Sequence, residues 1–160
     1  MDVKFLDKIG EPNKRYYQFA AVDDCTRLRV LKVYERNSQE NATRFVDEAL
    51  SRLPFRAEVI QTDNGSEFGS QFHWHLLDKG VGHVYMRPHR PRLNGKVKRS
   101  HRIDEEEFYR LLDGVVIDDT NLFNDKVREW ENFYNYSDLV QPHRVKNLMS
   151  DSGKRLGLCM

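Results

Sequence analysis

What most limits the fold of this chain is a change of hydrophobic period near residue 37. Before it, short segments carry the two-residue period of strands. Asp2-Val3-Lys4-Phe5-Leu6 alternates, Arg15 to Val22 is rich in aromatic residues, and Leu28 to Tyr34 alternates again. Turn residues separate them, with Gly10, Pro12 and Asn13 in the first gap and Asp23-Asp24-Cys25-Thr26 in the second. Three such strands make an antiparallel meander. Beyond it, Ala42, Phe45, Val46, Ala49, Leu50 and Leu53 fall on one stripe of a helix. Asn37 or Ser38 can cap that helix and Pro54 ends it.

The rest of the chain alternates the two periods. Glu58 to Thr62 predicts a fourth strand and Gly82 to Met86 a fifth, with a short helix around Phe72, His75, Leu76 and Leu77 between them. Pro88 and Pro91 keep the next stretch irregular. Asn94 to Leu112 has no Gly or Pro after Gly95, which predicts a long helix, and Phe123, Val127, Trp130, Phe133 and Tyr134 predict a last amphipathic one. Three strands followed by strands alternating with helices imply an α/β fold, a five-stranded mixed sheet flanked by helices. Trp130, Phe133 and Tyr134 follow helical spacing and are expected in the core rather than as a platform for bases.

Composition excludes several classes. The 160 residues suit one domain. With 39% hydrophobic and 32% charged residues the chain reads as soluble and globular. No apolar run has membrane-spanning length, and Met1 to Phe5 lacks the apolar stretch of a secretory signal. Cys25 and Cys159 are too few and too far apart for a disulfide framework or a zinc finger, so a reduced, cytoplasmic setting is expected. The net charge of +1 names no partner, but its distribution does. Arg87, Arg90, Arg92, Lys96, Lys98, Arg99 and Arg102 fall in a stretch without Asp or Glu, and Asp104, Glu105, Glu106 and Glu107 follow. Such a strip suits a polyanion, although charge runs also occur as plain solvated faces.

Thr62-Asp63-Asn64-Gly65 puts an acid just past a strand, where ligand sites of open α/β sheets lie. The same residues also suit a plain hairpin turn. Asp2 shares a strand face with Lys4 and Leu6. If the first and fourth strands are neighbours, Asp2 and Asp63 approach each other, and two close carboxylates repel unless a cation lies between them. Magnesium or manganese, which take oxygen ligands, suits such a pair. His73-Trp74-His75 is a poor metal pair, because positions two apart on a helix diverge.

Three segments carry a specific resemblance: Tyr17 to Arg27, Gln61 to Phe68, and Arg90 to Val97. In this order they resemble the integrase core of bacterial insertion-sequence transposases, the acidic-triad family related to retroviral integrases. The resemblance runs from Asp2 to about Tyr136 and sets an expected catalytic core at 1–136, followed by an atypical C-terminal tail at 137–160 that is open to disorder. It implies a ribonuclease-H-like fold, a site holding two magnesium ions, DNA as partner, a homo-oligomer, and phosphodiester cleavage and strand transfer for DNA integration. Mapped by motif, the family's first Asp is Asp2, its second is Asp63 and its Glu is Lys98, with 34 residues between the last two. Asp23 and Asp24 fall in a structural turn of the family. Arg87, Arg90, Arg92, Asn94, Lys96, Arg99 and Arg102 would contact phosphates, which sets affinity without reading sequence.

Lys98 breaks the pattern. An ammonium cannot ligate magnesium, and at ~4 Å and an effective dielectric near 20 it opposes the ion by about 4 kcal/mol per pair of unit charges. It would impair the site, or bridge Asp2 and Asp63 in the ion's place. A bridge implies that Lys98→Glu destabilises the metal-free fold. Two further departures accompany it. The family's upstream helix-turn-helix has no counterpart in this sequence, and Gln141-Pro142-His143 only approximates the usual Arg-Pro-His. The competing readings are a non-enzymatic DNA-binding or assembly module on the same fold, and a ribonuclease-H-like nuclease.

Overall fold

The computed structural model describes residues 1–6, 15–86, 95–112 and 119–139. Its meander comprises β1 (Asp2–Leu6), β2 (Tyr16–Val22) and β3 (Arg29–Tyr34), paired antiparallel with Asp2 opposite Ala20 and Ala21 opposite Val30. The turn into β3 is held by Asp23, whose Oδ2 accepts from the amide and the hydroxyl of Thr26, each at 2.6 Å. Arg27 takes the left-handed conformation there, at φ 65°.

Helix α1 (Gln39–Arg52) begins where Ser38 Oγ accepts from the Asn41 amide at 3.2 Å. It ends at Leu53, which is extended at φ −72°, ψ 136°, the region a following proline imposes. Then come β4 (Val59–Thr62), one 3₁₀ turn (Ser66–Phe68), α2 (Ser70–Asp78) and β5 (Gly82–Tyr85). The predicted long helix is helical throughout but changes pitch. It is α3 over Gly95–Ile103, a π segment over Asp104–Phe108 and a 3₁₀ turn over Tyr109–Leu112. Helix α4 (Thr120–Leu139) closes the described chain.

The five expected strands are present, but they divide into two sheets: β1–β2–β3, and β4–β5 in parallel with Thr62 opposite Tyr85. Among the described residues the single five-stranded sheet is not confirmed. Between the two sheets the Met1 amino group donates to the Gln61 carbonyl at 2.6 Å, which sets the start of β1 beside β4. At four residues, β4 is short enough that a ladder on its other edge would have few rungs.

Alternation along β2 and β3 divides the core. Phe19, Ala21 and Val30 face α1 and α2, where they meet Phe45, Val46, Ala49, Ile60, Phe68, Phe72 and Leu76. Tyr16, Ala20, Val22, Leu31 and Val33 face the other way, toward Val97, Tyr109, Phe123 and Val127. The middle strand is covered on both faces, which explains its nearly unbroken apolar run. A fully buried side chain such as Phe45 contributes about 1.5–3 kcal/mol. The predicted stripe on α4 holds for Phe123 and Val127, with Trp130 partly buried against the same cluster. Phe133 is a correction: it is 60% exposed, because the buried line runs through 123, 127 and 131 and position 133 turns away from it.

Candidate functional site

Asp2 is the first residue of β1, and its alternation with Lys4 and Leu6 puts it on the face toward α3. It is 8% exposed. His101 of α3 brings Nδ1 to 4.0 Å from Asp2 Oδ2. Burial pushes the His101 imidazole down to about 4, against the opposing pull of Asp104, so the contact joins a carboxylate to a neutral ring at ordinary pH. Asp63 follows β4 directly. Its Oδ1 accepts from the Gly65 amide at 3.0 Å, so the turn fixes one carboxylate oxygen and leaves the other. The Met1–Gln61 hydrogen bond brings β1 and β4 together within two residues of these acids.

Lys98 lies on the exposed side of α3, one turn before His101. Among the described residues it forms no ion pair with Asp2 or Asp63, so the bridge expected of it is absent. The buried line of α3 runs instead through Val97, Ser100 and His101. The acids that follow are engaged elsewhere. Glu105 pairs with Lys4 of β1. Asp104 is fully buried: Oδ1 accepts from Arg29 Nη1 at 2.6 Å and from Trp130 Nε1 at 2.7 Å, and Oδ2 accepts from Gln18 Nε2 at 2.7 Å.

Of the expected phosphate contacts, Arg99 and Arg102 lie exposed on α3, and Arg102 donates to Glu106 at 2.8 Å. Arg87, Arg90, Arg92 and Asn94 lie outside the described residues, as does the Lys96 side chain. His73 and His75 diverge as expected. His75 Nε2 meets Asp47 at 2.7 Å, while His73 Nδ1 lies 3.1 Å from His83 Nδ1. His83 Nε2 in turn is 2.9 Å from Thr62 Oγ1, and burial, with His73 alongside, pushes His83 down to about 4.

Sequence reasoning missed Glu67. It lies in the 3₁₀ turn after Asp63, is 8% exposed, and folds its carboxylate back over Gly65. The only sequence signal was an acid four positions after Asp63, beside a glycine. It also missed the Arg29–Asp104 pair, which unites residues remote in sequence.

As a metal site, the described residues include no three His, Cys, Asp or Glu side chains gathered closely enough to hold an ion. Two carboxylates fit one hydrated divalent ion, since magnesium keeps several waters and takes one or two carboxylates plus substrate phosphates. They do not fit a site that relies on three protein carboxylates.

The model of the integrase core domain matches residues 1–91. The chain belongs to the integrase core domain family. The match includes Asp2 and Asp63 and ends before Lys98. This integrase core is 29% identical to a putative integrase ORF3 of Spiroplasma virus SpV1-C74 over 154 residues, 85% of the chain and 42% of the relative. It is 31% identical over 114 residues to a retrovirus-related Pol polyprotein from transposon RE1 of Arabidopsis thaliana, 70% of the chain and 8% of the relative. The chain therefore spans less than half the length of either relative. Among solved structures, a simian T-cell lymphotropic virus intasome in complex with PP2A regulatory subunit B56 gamma matches with a TM-score of 0.62 at 22% identity, covering 71% of this chain and 41% of that one. The HTLV-2 integrase catalytic core domain in complex with magnesium, a trimeric form, matches with a TM-score of 0.55 at 17% identity, covering 69% of each. At these identities the likeness establishes the fold, a ribonuclease-H-like α/β core. No helix among the described residues is long and apolar enough to cross a membrane.

Proposed function

We propose that this integrase core acts on DNA phosphodiesters, with Asp2 and Asp63 as the ligands of a magnesium or manganese ion and Lys98 standing where a third carboxylate would complete the site. The observation that carries the reading is the meeting of β1, β4 and α3 around Asp2, through the Met1–Gln61 hydrogen bond and the His101 contact. A bound divalent ion supplies charge stabilisation for the attacking and leaving oxygens. The chain's own residues hold and orient. The Gly65 amide steadies Asp63, neutral His101 packs beside Asp2 without competing for its charge, and exposed Arg99 and Arg102 receive phosphates. DNA is the partner in this reading, with assembly of several copies as in the trimeric and intasome relatives.

Lys98 supports a second reading, a DNA-binding or assembly module without catalysis. One experiment separates the two: manganese-dependent nicking of a supercoiled plasmid by the parent chain and by Lys98→Glu, alongside salt-dependent DNA binding. Nicking by Lys98→Glu, with little by the parent, supports an impaired catalytic core. Salt-dependent binding with no nicking by either chain supports the module.

A further inference from the structure

We infer that His83 and Tyr85 of β5 are positioning residues for Asp63, clamping the turn that carries it at both of its ends. The inference rests on the reading of Asp63 as a metal ligand and adds what holds that ligand in place.

The two residues stand two apart on β5, so their side chains leave the same face of the strand. Thr62 is opposite Tyr85 in the parallel ladder, which sets this face beside the end of β4. His83 takes the near end of the turn. Its Nε2 lies 2.9 Å from Thr62 Oγ1, and the Thr62 hydroxyl donates to the Asp63 carbonyl at 2.9 Å. Tyr85 takes the far end, where its hydroxyl donates to the Phe68 carbonyl at 2.7 Å. Between these points the turn closes on itself. The Gly65 amide donates to Asp63 Oδ1 at 3.0 Å, and the Phe68 amide donates to the Gly65 carbonyl at 3.0 Å.

The hydrogen bonds fix the tautomer of His83. A hydroxyl carries one proton, and Thr62 gives its own to the Asp63 carbonyl, so it can only accept from the imidazole. Nε2 of His83 therefore carries the ring proton. Burial keeps the ring neutral at ordinary pH, which leaves Nδ1 bare to accept from His73 Nδ1 at 3.1 Å. Donors thus run one way, from His73 of α2 through His83 and Thr62 to the backbone of Asp63. Neighbouring rings hold the imidazole in place, with Tyr85 at 4.4 Å and Phe72 edge-on at 5.2 Å between centroids. A carboxylate whose support is fixed in advance loses less freedom when a cation binds.

The test is manganese binding, by calorimetry, to the parent chain, His83→Leu, His83→Gln, Tyr85→Phe and Asp63→Asn. Hydrogen exchange of the Gly65 and Phe68 amides in chelator accompanies it, and circular dichroism establishes folding. His83→Leu removes a donor and an acceptor, whereas His83→Gln keeps one of each. Tyr85 is 40% exposed and loses only its hydroxyl in Tyr85→Phe, so that variant tests the clamp even if His83→Leu folds poorly. Weakening by roughly 10–100-fold, the scale seen for groups that support a metal ligand, is expected for His83→Leu and Tyr85→Phe, with parent-like binding in His83→Gln. Both weakened variants should also exchange the two amides faster. Loss of binding in Asp63→Asn, with parent-like binding in His83→Leu and Tyr85→Phe, overturns the clamp and leaves the aspartate site standing. Equal weakening in His83→Gln and His83→Leu overturns the hydrogen-bonded role of His83. Absence of binding by the parent chain overturns the metal reading, and the amides then decide the clamp alone: faster exchange in the two variants sustains it, and unchanged exchange overturns it.

Discussion

Arg29 of β3 and Asp104 of the π segment form an ion pair of 2.6 Å, with side chains 0% and 1% exposed. The pair is surrounded by polar and aromatic groups. Arg29 Nη1 also donates to Ser100 Oγ at 3.0 Å, and its guanidinium carbon lies 3.5 Å over the Tyr134 ring. Gln18, held by Asp104, accepts from the Tyr109 hydroxyl at 2.5 Å. Among the described residues Arg29 Nε and Nη2 have no hydrogen-bond partner, so the network is incompletely satisfied there. Asp104→Asn should therefore cost about 3–5 kcal/mol, because it strands a buried guanidinium. Replacing both partners, as Arg29→Met with Asp104→Leu, should cost much less. Urea denaturation of the three chains checks this, and a cost for the double variant equal to or above that of Asp104→Asn would refute it.

The fold should weaken in mild acid. His101 and His83 are both pushed down to about 4, mainly by burial, from an ordinary 6.5. Between those values the unfolded chain binds more protons than the folded one, so stability rises with pH across the window and is lost as pH falls. His101 is 9% exposed and should dominate, contributing about 1–3 kcal/mol, while half-buried His83 is better screened. Denaturant midpoints in chelator, compared near pH 7 and near pH 4.5, should fall for the parent and fall less for His101→Gln. A flat profile for the parent would exclude the neutral, buried imidazole.

Position 98 should matter little to the fold. A lysine bridging Asp2 and Asp63 would make Lys98→Glu clearly destabilising without metal. Exposed Lys98 makes no such contact, so the change should stay within about 0.5 kcal/mol in chelator. Calorimetric melting checks it, and a loss of several degrees would restore the bridge. Ser38→Ala is the useful contrast, since it removes the acceptor for the Asn41 amide and should cost about 1 kcal/mol.

Local chemistry made much of this fold legible. The α1 stripe, its Ser38 cap and its Pro54 stop are all decided within a few residues. So are the β2–β3 turn at Asp23 and the order of strands and helices. Divergence of His73 and His75 follows from helix geometry alone. What escaped was long-range. The division of five strands into two sheets depends on how β1 meets β4, which no periodicity encodes. The π segment arises where Asp104 reaches Arg29, Gln18 and Trp130 at once, partners 75, 86 and 26 residues away. Asp2 and Asp63 were expected as a metal pair from strand-end placement and from motifs, and their role is the proposal made above. Glu67 was passed over because an acid in a turn usually faces water, and only the packed turn buries it.

The Arg29–Asp104 pair also bears on the sequence of events in folding. The β2–β3 hairpin joins residues as near as Ala21 and Val30, and α1 forms from its own neighbours. Docking of α3 must instead wait until a 75-residue loop has closed, a step whose entropy is paid before its contacts are gained. The helix that carries position 98 is therefore expected to settle late. In stopped-flow measurements Asp104→Asn should speed unfolding while leaving the folding rate nearly unchanged. A late-docking α3 places the region around position 98, together with α4, among the parts of the molecule that acquire their shape late and lose it early.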